Sequence, residues 1–353
     1  MTDPPLCLVL STGRCGSTVL SDVVADHPAA LSVSELFSVI PEHDLVERDL
    51  SGPEFWALLS RRNTVDLMML RCGIRVDELR YPVDAPRPGA SQFAWASGLP
   101  PPPIAQVTLP YLTDRPDDLF HRLGRYTVGQ PRRPLSEHFR WLFRILAGGR
   151  RPRLVVERSG GSLAYARKLF TLFPGARVVH LYRDGRECAL SMSRHARYKM
   201  AMVRAQMAAR LGYDPYGPQT PHGDTPVTVL DPALRGLLPE YATRTAYDSY
   251  QIPLPKYGTA WTKMIIDGMD ALRDHPDVLA VDYRDLVAKP HQAIGDVLDF
   301  LGLDRGAERE QRMAARLGPP RDFRGAVDDQ QWQELTQACR SGMNRLYGRG
   351  RWN

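Results

Sequence analysis

The chain has 353 residues, of which 43% are hydrophobic and 24% charged, enough apolar material for a sizeable core in two domains or in one large α/β domain with long insertions. No apolar stretch approaches the roughly 18 residues of a membrane span, and the opening Met1-Thr2-Asp3-Pro4 lacks the basic and apolar regions of a secretory signal, so the expectation is a cytoplasmic protein. The five cysteines, Cys7, Cys15, Cys72, Cys188 and Cys339, include no CxxC pair, which argues against a zinc site or a disulfide framework and for reduced thiols.

Taken in chain order, residues 6–12 are short, apolar and followed by glycine, a buried-strand pattern. Residues 17–26 place Val19, Leu20, Val23 and Val24 on one helical face, and Pro28 stops the helix. Residues 82–134 hold eleven prolines, four of them consecutive at Pro100–Pro103, and read as an irregular connection. Strands are expected at 153–157, 177–182 and 278–283. Helices are expected at 163–173, after Asp184 as its cap, at 290–301 and at 330–347. Residues 212–258, rich in Pro, Tyr, Thr and Gly, read as a second irregular stretch. Strands alternating with helices predict a three-layer α/β/α fold with a central parallel sheet. The chain then reads as one domain over 1–353, with 82–134 and 195–258 as substrate-pocket or lid insertions.

Gly13-Arg14-Cys15-Gly16-Ser17-Thr18 falls at the first strand-to-helix turn. There the first N–H groups of the helix point outward and its dipole adds positive potential. Gly13 and Gly16 let the backbone approach an anion, Ser17 and Thr18 offer hydroxyls, and Arg14 brings a charge into the loop. A Walker A loop would need four residues between its glycines and a lysine after the second; here there are two, and no lysine.

A second such junction follows residues 177–182. Arg183 stands at the strand's carboxyl end, where open α/β sheets bind ligands, and Ser191 lies eight residues further on. Helical spacing would put Arg194 and His195 on the face of Ser191. Of the 46 basic residues only five are lysines, and arginine's planar fork suits bidentate contacts to phosphate and sulfate.

STGRCGSTVL together with HLYRDGRECALSMSRH resembles the paired cofactor motifs of sulfotransferases that use 3′-phosphoadenosine 5′-phosphosulfate (PAPS). RDGR with the following Ser-Met is similar to the protein-tyrosine branch, and bacterial carbohydrate and lipid sulfotransferases share the style. The resemblance spans roughly 6–40, 150–200 and 276–305, and implies a P-loop-like fold. It implies that Arg14, Cys15, Gly16, Ser17 and Thr18 hold the 5′-phosphosulfate, with Arg14 beside the leaving oxygen. Arg183 and Ser191 would hold the 3′-phosphate. Glu35, in VSELF, matches the proposed base, a role that partial burial favours by raising a carboxylate toward working pH. Arg158, where relatives often carry lysine, would touch the sulfonate, with Glu157 either orienting it or pairing at the surface. Tyr283, in VDYRDLV, matches the tyrosine beside the adenine, and Arg324 is placed in the loop over the 3′-phosphate. His27, His180 and His195 are competing imidazoles. No metal is implied, and the acceptor is expected to be a small molecule or a glycolipid.

Two other function classes fit parts of the sequence. A kinase with an unusual phosphate loop would use Asp282 as a Mg²⁺ ligand, but lacks the loop lysine. A nucleic-acid binder is suggested by the net charge of +6, which is modest for this length and is joined by only 8% aromatic residues and no recognised binding motif.

Overall fold

The computed structural model describes residues 3–76, 78–81, 101–217, 225–317 and 323–348. Five of its strands are short and mostly apolar, and the first four are almost wholly buried: β1 (Leu6–Leu10), β2 (Ala30–Ser34), β5 (Leu154–Arg158), β6 (Arg177–Tyr182) and β7 (Val278–Asp282), the last of which is buried at Val281 and Asp282 and exposed at Ala280. They form one parallel sheet in the order β2-β5-β1-β6-β7. A near-continuous apolar run is what a strand covered on both faces requires. Two two-residue strands, β3 (Asp49–Leu50) and β4 (Arg133–Pro134), pair antiparallel apart from it. The α/β class and parallel sheet expected from the sequence are therefore present.

The chain divides into two compact units. The first, residues 1–58, 123–190 and 254–353, contains the large sheet and the helices that follow its strands. Ser17–Ala25 follows β1, and Gly185–Ser193 starts after β6. The long helices Leu254–Leu272 and Asp329–Tyr347 pack on each other so closely that a Cβ on Gly258 would fall 2.9 Å from Ala338 Cβ. Asp184 caps its helix as expected, its Oδ1 accepting the Arg186 N–H at 2.9 Å.

The second unit, residues 59–122 and 191–253, has a core of its own. Met200, Val203, Met207 and Leu211 form one buried stripe on the helix Ala196–Leu211 and pack among Val65, Met68 and Met69 of the helix Thr64–Arg71.

Three expectations differ from the structure. β2 was not foreseen. The described part of 82–134 is largely helical, with helices at Pro103–Val107 and Pro116–Val128, whereas in 212–258 the short helices Pro232–Arg235 and Arg244–Ser249 interrupt a mostly irregular chain. Several prolines that read as breakers stand in the first turn of a helix, where a missing N–H costs nothing. Residues 82–100 and 218–224 of those stretches lie outside the described residues. Finally, Tyr283 does not end a strand but opens the helix Tyr283–Ala288, capped by Asp282, whose Oδ1 accepts the Arg284 N–H at 2.9 Å.

Candidate active site

Five residues singled out in the sequence sit at the carboxyl ends of the five parallel strands. Arg14 lies in the loop after β1, Glu35 directly follows β2, Arg158 ends β5, Arg183 directly follows β6, and Tyr283 directly follows β7. The register aligns them: Arg158 pairs with Val9 of β1 and Ser34 of β2, and Tyr182 with Asp282. All five belong to the first unit. Open α/β sheets bind ligands along this edge.

The loop after β1 is tightly curled. Gly13, Arg14 and Gly16 all have positive φ, 74°, 59° and 91°. For Arg14 that conformation costs about 1–2 kcal/mol, a strain that other contacts of the loop must hold. Gly16 is the N-cap of the helix Ser17–Ala25, no side chain caps it, and no acidic residue stands in its first turn. Its first N–H groups therefore remain available to an anion. Cys15 turns away from this face: its side chain is buried, its thiol lies 3.5 Å from the Leu181 carbonyl oxygen, and burial pushes its pKa up. Its contribution to the cradle is its backbone.

The second junction touches the first through an aromatic ring. A Cβ on Gly16 would fall 2.2 Å from Tyr283 Cε2, so only glycine admits the ring here. The Arg183 guanidinium lies over the same ring at 4.4 Å and over the Phe323 ring at 4.7 Å, and Arg183 Nε donates to Glu187 at 2.5 Å. Arg183 is thereby held as a braced cation beside the first loop. Phe323 was not foreseen. Its only sequence signal is an aromatic beside Arg324, in the segment expected to close over the nucleotide.

Glu35 and Arg158 form a buried ion pair through Oε1 and Nη1. Glu35 Oε2 accepts the Gly160 N–H at 3.0 Å, and the Glu35 N–H donates to the Arg158 carbonyl at 2.7 Å. These bonds hold Glu35 at a φ of 59°, unusual for a residue with a side chain. Arg158 is 1% exposed, and its Nε and Nη2 have no hydrogen-bond partner among the described residues. Buried guanidinium nitrogens are normally satisfied, so two orphans mark a place for an acceptor that the chain does not supply. Glu157 neither orients Arg158 nor lies at the surface. It is fully buried, accepts from Ser159 Oγ at 2.5 Å, and burial raises its pKa to about 8. Ser159 Oγ in turn accepts the Phe37 and Ser38 N–H groups at 3.0 and 3.1 Å, pinning the turn that follows Glu35.

Other predicted residues stand elsewhere. Ser191 lies on the helix that begins at Gly185 but belongs to the second unit. That helix ends at Ser193, and His195 adopts extended backbone as the N-cap of the next, so Arg194 and His195 do not continue the face of Ser191. Arg324 is exposed and engaged within its own loop, with Asp329 and with the Val327 carbonyl. His27 is committed structurally, Nδ1 accepting the Ala29 N–H and Nε2 facing the Asp304 carbonyl, with its pKa lowered by burial. His180 is buried within β6, and desolvation lowers its pKa to about 4. Asp282, the carboxylate a kinase would need for Mg²⁺, caps a helix and pairs with Arg284 at 2.8 Å.

Residues 167–318 match the model of a protein family described as the sulfotransferase domain. Over that segment the chain is similar to sulfotransferase domains. The matched sulfotransferase segment contains Arg183, Ser191 and Tyr283, while the loop after β1, Glu35 and Arg158 precede it. Solved structures similar to the chain include the sulfotransferase domain from the curacin biosynthetic pathway (14% identity, TM-score 0.44, covering 98% of each chain). The sulfotransferase domain of the Synechococcus PCC 7002 olefin synthase gives 17% and 0.44, covering 97% of this chain and 95% of that one. A sulfotransferase of Mycobacterium avium gives 16% and 0.45, covering 98% and 78%. No curated protein matches the chain. Among the described residues no helix is long and apolar enough to cross a membrane.

Proposed function

We propose that this protein is a sulfotransferase that uses PAPS and moves its sulfonate to an acceptor hydroxyl on a small molecule, sugars and lipids included, by in-line transfer. One observation carries the reading. At one sheet edge an uncapped glycine loop, a ring-braced arginine and a buried Glu35–Arg158 pair with two orphan guanidinium nitrogens stand on adjacent strands. Such a donor set fits a ligand with an anion at each end.

In this reading the N–H groups of Cys15, Gly16, Ser17 and Thr18, with the Arg14 side chain, hold the 5′-phosphosulfate, and Arg183 holds the 3′-phosphate. Tyr283 offers a face beside the base. Arg324 would have to leave Asp329 to reach the nucleotide, whereas Phe323 of the same loop already meets Arg183. When bound, PAPS supplies an activated sulfonate whose transfer leaves negative charge on a phosphate oxygen. Arg14 and the helix N-terminus are the donors set to stabilise that charge. Glu35 takes the acceptor's hydroxyl proton: each of its oxygens makes one hydrogen bond and keeps a second lone pair. Arg158 fixes Glu35 and turns its remaining N–H groups to the sulfonate. The five buried thiols suit a reducing compartment, and we place the enzyme in the cytoplasm.

The test is transfer itself. Enzyme given PAPS labelled in the sulfonate, without Mg²⁺, should pass label to a hydroxyl compound in a cell extract and release 3′,5′-ADP. Phosphate transfer from Mg·ATP in its place would overturn the reading.

A further inference from the structure

The second unit carries a cleft of about 500 Å³ that no part of the sulfonate chemistry uses. It is lined by Arg75, Arg194, Lys199 and Arg244, with His195 and Tyr247, and none of its lining residues is acidic. Three carboxylates of this unit are already committed: Glu78 to His195 Nε2 at 2.9 Å, Asp248 to Arg244 at 2.6 Å, and Asp66 to Arg197 at 3.0 Å.

Three further features point at a ligand. His195 is 4% exposed, and its Nδ1 has no partner among the described residues, although Glu78 fixes the ring through the other nitrogen. His195 is among the residues that line the cleft, and buried polar atoms are normally paired. His195 and Ala196 are also the N-cap and first residue of the 16-residue helix Ala196–Leu211, whose first turn has neither a side-chain cap nor an acidic residue. Its outward N–H groups and dipole favour negative charge. Lys199 is fixed in place, Nζ donating to the Tyr247 carbonyl at 2.5 Å and lying 4.3 Å from the centre of the Tyr247 ring.

We propose that this cleft binds an organic phosphate monoester, its phosphate against Arg194, Lys199, His195 and the helix N-terminus and its organic part against Tyr247 and Ile74. Arg244 is already paired with Asp248, which leaves Arg194 and Lys199 beside the uncapped helix N-terminus, and a phosphate monoester carries about −1.5 to −2 at neutral pH, a match for two cations, where a carboxylate carries one charge. Arginine forks match phosphate oxygens in pairs. The cleft also exceeds the size of a bare phosphate ion, and Tyr247 and Ile74 give it an apolar wall.

Isothermal titration of the full chain with phenyl phosphate, with 3′,5′-ADP present throughout, tests this. The expected result is one site, weakened at least about tenfold by Arg194→Glu and by Lys199→Ala, since a hydrogen bond to a charged group contributes ~1.5–3 kcal/mol. Arg194 is exposed, so its substitution leaves folding intact. Inorganic phosphate and benzyl alcohol should each bind more weakly than phenyl phosphate. Equal binding of inorganic phosphate overturns the organic part of the proposal, and equal binding of benzyl alcohol overturns the anionic part. Absence of phenyl phosphate binding in the presence of 3′,5′-ADP, or binding untouched in both variants, overturns the whole. Failure of the wild type to bind 3′,5′-ADP would count against the PAPS reading and leave the cleft titration readable.

Discussion

The Tyr283 ring lies so close to the Gly16 backbone that a single methyl group on Gly16 would stand 2.2 Å from Tyr283 Cε2. The contact couples the loop after β1 to the residue after β7, and the same ring underlies Arg183, so the two proposed phosphate grips share one aromatic support.

Gly16→Ala tests that coupling. Overpacking costs ~1–3 kcal/mol, and the φ of 91° adds strain for any side chain. The variant should melt several degrees lower and lose most of its affinity for 3′,5′-ADP. Adding Tyr283→Ala should recover part of the lost stability, because it removes the clashing ring, while affinity stays low. Additive losses in the double variant would show that the ring and the loop are not coupled.

Glu35→Gln keeps the shape at the β2 end and removes the charge. Nucleotide affinity should hold within about twofold, while turnover falls by roughly 10²–10⁴, the usual contribution of a positioned base. Stability should also fall, since breaking one side of a buried ion pair costs ~3–5 kcal/mol when the partner charge is left behind. Calorimetry beside the kinetics separates the two effects. Normal turnover in Glu35→Gln would pass the proton to another group.

Glu157 gives stability a pH signature. Its pKa rises from 4.5 to about 8 on folding because burial disfavours the carboxylate. Between those values the folded state keeps a proton that the unfolded state has lost, so this group's contribution is full below about 4.5 and is lost as pH rises through about 8. Glu157→Gln mimics the protonated form and should flatten the fall in chemical-denaturation stability across that window, by on the order of a few kcal/mol. An unchanged pH slope would mean that Glu157 ionises freely in the folded protein.

Much of the site was readable because each piece has local chemistry. Glycines in the β1 loop, an arginine after β6 and a tyrosine after β7 all carry their signal within a few residues. What escaped depends on partners distant in sequence. β2 reads ALSVS, and Ser32 and Ser34 hardly resemble a buried strand until Ser21 is seen 3.1 and 2.9 Å from them. Glu157 stands next to Arg158 in sequence and reads as a candidate partner for it, yet Arg158 pairs with Glu35, 123 positions away, and leaves Glu157 to burial. Arg324 was singled out and Phe323 passed unnoticed because a charge suggests a phosphate, whereas the brace on Arg183 is aromatic. The proline-rich stretches misled because proline starts helices as readily as it interrupts them.

The most direct measurement is 3′,5′-ADP binding in Mg²⁺-free buffer by the wild type and by Arg183→Ala. A hydrogen bond to a charged group is worth ~1.5–3 kcal/mol, which predicts tight binding by the wild type and an affinity about 10–150-fold weaker in the variant, with the fold intact by circular dichroism. Equal affinities, or binding that requires Mg²⁺, would contradict the assignment of Arg183 and the reading of this sheet edge as the seat of a doubly phosphorylated donor.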